Sequence, residues 1–336
     1  MSYRRILVAT DGSATARRAE QAARRLATAF EAELVIVHAL EDPPRGADPA
    51  VERAAQEARA EGITVVTAVP KGKPAESIIE LADRRDADLV ILGNVGMERR
   101  LRGSVPDTVC HGAPCDVLIV QTVDGDDHTG YGAYRRVLVA TDGSSTADRA
   151  VRKGMRFASG VDAEPVLLYV GHPATGRNVL EDTIRQLGDV SVRPVVRRGD
   201  PADEIVAAAR DEDADLVVVG SKGMTGPRLK SVGAVPNKVS HKATTDVLIA
   251  KTYMLGYDDV HPGEGAIVEE DGRKVAVYKA EDGTEHVLSA RCQHLGCTVG
   301  WNPGDRTWDC PCHGSRYAFD GRVIKGPATR DLDPAE

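Results

Sequence analysis

Aromatic side chains are scarce in this chain of 336 residues: three Phe, two Trp and eight Tyr. Six Cys are too few to be a disulfide scaffold at this length. No apolar run approaches the roughly 20 residues of a membrane helix; runs such as Leu34–Ala39 and Val166–Val170 are strand-length. The chain reaches Thr10-Asp11-Gly12 after a very short apolar run, so no signal peptide and no membrane anchor are expected. Basic excess is absent too. Lys+Arg number 43 against 51 Asp+Glu, a formal net charge of −8, which argues against a nucleic-acid surface. What remains is an ordinary globular composition, 42 % hydrophobic and 28 % charged, with room for two or three domains.

The scarce residues are unevenly placed. Four of the six Cys fall between positions 292 and 312, and both Trp, Trp301 and Trp308, share that region. Residues 253–336 hold 9 Lys+Arg and 15 Asp+Glu, so most of the net charge sits there. By composition the chain is two proteins.

The first 252 residues contain an internal repeat. Arg5-Ile-Leu-Val-Ala-Thr-Asp-Gly-Ser13 returns as Arg136-Val-Leu-Val-Ala-Thr-Asp-Gly-Ser144. Asp86-Ala-Asp-Leu-Val-Ile-Leu-Gly93 returns as Asp213-Ala-Asp-Leu-Val-Val-Val-Gly220, and Asp116-Val-Leu-Ile119 as Asp246-Val-Leu-Ile249. A period near 130 is domain-sized, so a domain has been duplicated. In repeat 1 the apolar runs Arg5–Ala9, Leu34–Ala39, Ile63–Val69, Leu89–Leu92 and Val117–Val120 read as buried strands. Thr15–Phe30, Pro49–Glu61, Pro74–Arg84 and Ser104–His111 read as helices between them. That alternation predicts a doubly wound parallel sheet in each repeat. The Gly- and Asp-containing stretch 123–133 reads as a linker. After Thr252, short β-like runs (266–268, 274–278, 286–288, 317–319, 323–324) separated by Gly turns predict a small antiparallel β domain.

Open parallel sheets bind ligands at the carboxyl ends of their strands. There each repeat carries Thr-Asp-Gly-Ser after its first strand and a Gly pair after its fourth: Gly93-Asn-Val-Gly96, then Gly103-Ser104, and Gly220-Ser-Lys-Gly223, then Gly233-Ala234. Glycines admit a phosphate close to the backbone, and a helix start offers free N–H groups to it. Gly after a strand is also an ordinary turn residue, and Asp-Gly-Ser an ordinary helix entry. These residues resemble the universal stress protein family over about residues 1–252, as two tandem copies. The family's nucleotide-binding members carry Gly-x-x-Gly, nine residues, then Gly-Ser or Gly-Thr. Repeat 2 keeps the nine residues (Met224–Val232) but has Ala234 for the hydroxyl; repeat 1 keeps Ser104 but has six residues (Met97–Arg102). The resemblance implies ATP or a related adenine nucleotide. It would be lined in site 1 by Asp11, Ala39, Gly93, Gly96, Gly103 and Ser104, and in site 2 by Asp142, Val170, Gly220, Gly223, Gly233 and Val235. Repeat 2 is favoured. No Walker-type Gly-Lys-Ser/Thr is present, so binding rather than hydrolysis is expected.

The sharpest pattern is Cys292-Gln-His294 followed by Cys310-Pro-Cys-His313. Two Cys and two His also suit a tetrahedral zinc ion, and the four residues alone do not decide. Their surroundings, Cys292-Gln-His-Leu-Gly-Cys297 and Cys310-Pro-Cys-His-Gly-Ser315, resemble the two cluster-binding loops of Rieske proteins over about residues 262–332. The resemblance implies a [2Fe–2S] cluster with Cys292 and Cys310 on one iron and His294 and His313 on the other. It further implies a clamping disulfide between Cys297 and Cys312, hydroxyl donors at Ser315 and Tyr317, and a covering loop at Gly326-Pro-Ala328. Cys110 and Cys115 receive no role.

The fold expected is α/β, with two doubly wound parallel-sheet domains of the flavodoxin-like, adenine nucleotide alpha hydrolase-like type. A small antiparallel all-β Rieske domain follows. The divisions are 1–122, a linker 123–133, 134–252 and 253–336. Two functions compete. One is a cytoplasmic stress-type nucleotide-binding protein that uses its cluster for one-electron transfer or redox sensing. The other is a Rieske ferredoxin-type carrier whose repeats serve as docking or dimerisation modules. A terminal oxygenase and a respiratory bc-complex subunit are disfavoured, because no mononuclear iron domain and no anchor are seen. The partners implied are a redox donor or acceptor protein and an adenine nucleotide, with no nucleic acid and no membrane. The repeats are expected to pack as an internal pseudo-dimer, and a homodimer is compatible with that.

Overall fold

The computed structural model describes residues 3–95, 105–122, 134–188, 190–221, 233–251, 260, 262–270, 273–310 and 313–335. These fall into two compact units that divide at Thr252 and Tyr253.

In the N-terminal unit strand and helix alternate. Repeat 1 contributes β1 (Arg5–Ala9), α1 (Ala14–Phe30), β2 (Glu33–Val37), α2 (Pro49–Ala60), β3 (Val65–Ala68), α3 (Pro74–Arg84), β4 (Leu89–Val95), α4 (Val105–Gly112) and β5 (Asp116–Thr122). Repeat 2 contributes β6 (Arg136–Thr141), α5 (Ser145–Gly160), β7 (Glu164–Val170), α6 (Pro173–Leu187), β8 (Arg193–Arg197), α7 (Pro201–Asp211), β9 (Leu216–Gly220), α8 (Ala234–Lys242) and β10 (Asp246–Ala250). Local chemistry sets the helix starts. Ser13 Oγ accepts the Ala16 N–H at α1, and the Asp48 and Asp200 carboxylates cap α2 and α7 just ahead of Pro49 and Pro201. Strand β3 is shorter than the apolar run Ile63–Val69, because the Ile63 N–H is already bonded to Ala58 O in the closing turn of α2. Ser104, expected to open α4, lies outside the described residues.

Strand order is β3-β2-β1-β4-β5-β10-β9-β6-β7-β8, so both repeats share one ten-stranded sheet. Within each repeat the strands are parallel; β5 and β10 join the halves antiparallel, with Val247 opposite Ile119 and Ile249 opposite Val117. Helices α1, α2, α5 and α6 cover one face and α3, α4, α7 and α8 the other. Both faces of β1 are therefore buried, Ile6 and Val8 on one side and Leu7 on the other, which explains its unbroken apolar run.

Buried carboxylates hold the junction in a pseudo-symmetric pattern. Asp116 accepts the Lys251 N–H and Lys153 Nζ, each at 2.7 Å, and the Tyr3 hydroxyl at 2.9 Å. Asp246 accepts the Gln121 N–H at 2.9 Å and the Tyr134 hydroxyl at 2.8 Å. Lys251 Nζ crosses to Cys110 O, and Gln121 Nε2 crosses to Ser240 O. Burial pushes the Cys110 thiol up to about 12. It also raises Cys115, so both thiols stay neutral and structural.

Burial pushes the Asp246 carboxyl up to about 7, the hydrogen bonds from Gln121 and Tyr134 offsetting only part of the effect. Between its ordinary value of 3.8 and about 7, the folded state holds a proton that the unfolded chain has released. The Asp246 contribution to unfolding free energy therefore falls as pH rises through that window and is flat above it. Asp246→Asn is expected to remove this slope in urea titrations between pH 5 and pH 8. A slope identical to that of the wild type would refute the assignment.

The C-terminal unit is antiparallel throughout. Strands β11 (Gly265–Glu270), β12 (Arg273–Lys279) and β13 (Glu285–Ser289) form one sheet. A second contains β14 (Gly300–Asn302), β15 (Thr307–Asp309), β16 (Arg316–Ala318) and β17 (Val323–Lys325). The β14 and β15 strands were not expected: each is three residues long, too short for a periodic signal.

Candidate metal centre and phosphate loops

The two Cys/His segments connect strands, β13 to β14 and β15 to β16, and their backbones make the same turn. The Gly296 N–H bonds Cys292 O (2.8 Å) and the Cys292 N–H bonds Cys297 O (2.8 Å). In the other loop the Gly314 N–H bonds Cys310 O (3.1 Å) and the Cys310 N–H bonds Ser315 O (2.8 Å). Each turn closes on a glycine of positive φ, +73° at Gly296 and +76° at Gly314. The Cys-x-x-x-Gly spacing common to both loops was available in the sequence as a signal for this turn.

Cys292 and Cys310 are buried free thiols, and the His294 and His313 rings meet edge-on with centroids 4.8 Å apart. Tyr317 is fully buried between the loops. Its hydroxyl lies 3.1 Å from Cys292 Sγ and accepts the Gln293 N–H at 3.0 Å. Burial, with the Cys292 contact adding to it, pushes the phenol up to about 12, so it keeps its proton to donate. Burial also pushes the Cys292 thiol up. Hydrogen bonds from Tyr317, the His294 N–H, Cys310 and Ser315 outweigh that, and the thiol sits below its ordinary value. The buried Ser315 Oγ accepts the Ala328 N–H at 3.0 Å, which ties the Gly326-Pro327-Ala328 segment to the second loop. Cys297 is disulfide-bonded; Cys312 lies outside the described residues.

The donor set fits a two-iron cluster. Among the described residues, His294 Nδ1 is a buried polar atom without a hydrogen-bond partner. An orphan of that kind is costly unless something coordinates it. Two thiols and two imidazoles in two matched turns give each iron of a [2Fe–2S] unit two protein donors. Among the described residues no three His, Cys, Asp or Glu side chains gather around a single ion.

The expected nucleotide residues divide. Strands β2, β1 and β4 are neighbours, so Ala39, Asp11 and Gly93 stand at the carboxyl ends of adjacent strands. Val170, Asp142 and Gly220 stand likewise at β7, β6 and β9. Strand order reverses at β1/β4 and at β6/β9, where such sheets open a crevice. Asp11 and Asp142 each accept a backbone N–H two residues on, from Ser13 and Ser144, so both carboxylates brace their own turns. A Cβ at Gly93 would lie 2.5 Å from Thr15 O; this glycine gives α1 room to start against β4. Gly233 caps α8 without a side-chain bond and donates its N–H to Ser221 O at 2.8 Å, with Val235 half-buried just inside the helix. Gly96, Gly103, Ser104 and Gly223 lie outside the described residues. No helix among the described residues is long and apolar enough to cross a membrane.

Residues 2–121, 133–183 and 177–251 match the universal stress protein family, and residues 251–335 match the Rieske [2Fe-2S] domain. The chain belongs to the universal stress protein family and combines its domains with a Rieske domain. It is similar to a universal stress protein of Mycolicibacterium smegmatis, 29 % identical over 290 residues, which cover 73 % of this chain and 96 % of that protein. It is 59 % identical over 46 residues to a cytochrome b6-f complex iron-sulfur subunit of a Synechococcus strain, 14 % of this chain and 27 % of that subunit. The crystal structure of a universal stress protein from Archaeoglobus fulgidus shares the fold, with a TM-score of 0.59 at 20 % identity over 75 % of this chain and 100 % of that one. The chain spans between 15 % and 27 % of the length of the first curated iron–sulfur relatives that it matches.

The two glycine turns make a stability prediction. A Cβ at Gly296 or Gly314 would meet nothing within 4 Å, so the cost of Ala there is that of the left-handed backbone alone. Gly296→Ala and Gly314→Ala are each expected to destabilise the C-terminal unit by about 1–2 kcal/mol. Tryptophan fluorescence during urea unfolding measures it, because both Trp belong to this unit. Unshifted midpoints in both variants would show that the turns have no such strain to impose.

Proposed function

We propose that the C-terminal unit is a one-electron carrier whose cluster is held by Cys292 and Cys310 on one iron and His294 and His313 on the other. The observation that carries this reading is the pair of matched turns, each carrying a buried thiol, with an unpartnered His294 Nδ1 on the first of them. Bound there, a cluster of two ferric ions, two sulfides, two thiolates and two neutral imidazoles has no net charge, and it accepts an electron more readily than a four-thiolate cluster. The chain's own residues set the rest. The Tyr317 hydroxyl donates to Cys292 Sγ and draws electron density from it; Ser315, held by the Ala328 N–H, does so from the second loop. In this reading Cys297 pairs with Cys312 and fixes the two loops to each other.

Residues 1–122 and 134–252 are read as two universal stress protein domains joined by 123–133, and residues 253–336 as the Rieske domain. The second domain takes an adenine nucleotide at the carboxyl ends of β6, β7 and β9, its phosphates toward the start of α8. The supporting feature is that helix start, which has no side-chain cap. The function proposed for the whole chain is a stress-related nucleotide-binding protein that transfers or senses single electrons. Its redox partner is a protein not identified by these residues.

Purified protein is expected to be red-brown and to give the Rieske EPR signal on reduction; a colourless protein that retains zinc would sink the reading. Ser315→Ala and Tyr317→Phe are each expected to lower the midpoint potential by on the order of 100 mV, the equivalent of one hydrogen bond to a charged centre. An unmoved potential in both would remove the tuning roles.

The nucleotide site makes a separate prediction. Gly233→Asp preserves the helix start, because Asp is a favoured N-cap, yet it puts a carboxylate where the phosphates would lie. It is expected to abolish ATP binding in calorimetric titration without lowering the unfolding temperature. If wild-type protein gives no binding heat at millimolar ATP, the repeats are docking modules instead.

A further inference from the structure

We propose that Trp308 and Trp301 form a relay that carries one-electron oxidising equivalents from the ligand loops to the surface of the C-terminal unit. The proposal rests on the iron–sulfur reading above. Trp308 stands two residues before Cys310 and opposite Tyr317 in the β15–β16 register, and Tyr317 touches Cys292 Sγ. It is completely buried. Its register partner on β14 is Trp301, the ring centroids 4.7 Å apart. Tyr278 lies 5.1 Å beyond Trp301, and Phe319 lies 5.0 Å from Tyr278. Trp301 is half-buried, and a Cβ at Gly265 would lie 2.3 Å from its ring, so glycine leaves the room that the indole fills. In a chain with two tryptophans, both stand in one row that begins beside the ligand loops and reaches water.

The chemistry starts from hydrogen peroxide. A reduced cluster held by Cys292, Cys310, His294 and His313 would supply one electron to the peroxide, which would give hydroxide and a hydroxyl radical. The radical takes one electron from Trp308 and one proton from solvent and becomes water. Trp308 remains a radical cation, because its Nε1–H donates to the carbonyl oxygen of Phe319 at 3.2 Å, too weak a base to remove the proton. An electron from Trp301 then restores Trp308. Half-exposed Trp301 releases its indole proton to water, replacing the proton consumed, and the neutral radical is trapped there. The sum is hydroxyl radical plus Trp301–H to water plus the Trp301 radical, which a solution thiol returns to Trp301–H by hydrogen-atom transfer. Tyr317 is a poor stopping place, since its hydroxyl is held between a sulfur and an N–H donor. Without the relay the radical would attack the nearest sulfur and imidazole, starting the cysteine oxidation ladder at Cys292 or Cys310.

The test uses full-length protein with its cluster reduced and excess reductant removed. Small increments of hydrogen peroxide are added without thiol, and oxygen adducts are mapped by peptide mass spectrometry. Wild-type adducts are expected to concentrate on Trp301. In Trp308→Phe they are expected to move to Cys292, His294 and Cys310, with visible absorbance lost several-fold faster per peroxide added. Trp308→Tyr, whose side chain can be oxidised, should restore both readouts. Trp301→Phe alters a half-buried position and should shift adducts inward to Trp308; it decides the matter if Trp308→Phe does not fold. An adduct map and bleaching rate unchanged from wild type in the folded variants would overturn the relay. Absence of the Rieske EPR signal from the reduced protein before peroxide is added would instead defeat the cluster reading, and the relay with it.

Discussion

The contact between the Tyr317 hydroxyl and Cys292 Sγ is the interaction on which the C-terminal unit depends. Tyr317 belongs to β16, after the second ligand loop, while Cys292 opens the first. One buried phenol thus reaches across from one turn to the other and also takes up the Gln293 N–H. Buried, with its proton retained, it donates into a sulfur that would otherwise be an uncompensated charge in an apolar core. The same ring is the cross-strand partner of Trp308, so the residue that adjusts the thiolate also fixes the packing behind it.

The N-terminal unit shows how a duplicated domain ceases to be symmetrical. Asp116 and Asp246 occupy equivalent places at the ends of β5 and β10, and each receives the backbone N–H of the opposite strand. Lys153 lies against Asp116, whereas Asp246 accepts from an amide and a phenol. The Asp246 carboxyl, with no ammonium beside it among the described residues, is driven toward neutrality by burial. Because β5 and β10 are central in the shared sheet, the junction has no exposed strand edge, and separating the repeats would uncover two.

Much of this was legible in the chain. The repeated Arg-x-Leu-Val-Ala-Thr-Asp-Gly-Ser announced strand, turn and helix in order, because each step has its own residue chemistry: branched apolar run, positive-φ glycine, Ser cap. The Cys/His loops were legible because spacing within a single turn is local. The junction was not. Asp116, Lys153 and Lys251 come from three separate elements, and nothing near any of them in sequence marks the others. Strands β14 and β15 were hidden for a different reason: three residues flanked by Asn-Pro-Gly and Asp-Cys-Pro carry no periodicity, and they exist through pairing with β16. Gly93 had two readings, a phosphate loop and a packing requirement. Its distance to Thr15 O is sufficient to explain the residue without a ligand.

That last point bears on how the two repeats divide the work. Beneath the Thr10-Asp11-Gly12 turn, Thr10 Oγ1 donates to Glu20, a carboxylate almost wholly buried and gripped by Arg53 at 2.9 Å on both oxygens. Repeat 2 has fully buried Val151 at the corresponding place. A buried ion pair contributes little net stability over an apolar pair, but it fixes geometry, tying β1, α1 and α2 together under the turn. Repeat 1 thus has a rigidly braced first turn, a shortened loop after β4 and a Gly93 already accounted for by packing. Repeat 2 has an apolar support, the full loop length and a helix start at Gly233 without a side-chain cap. The duplicated turn is therefore held by a buried ion pair in repeat 1 and by apolar packing in repeat 2.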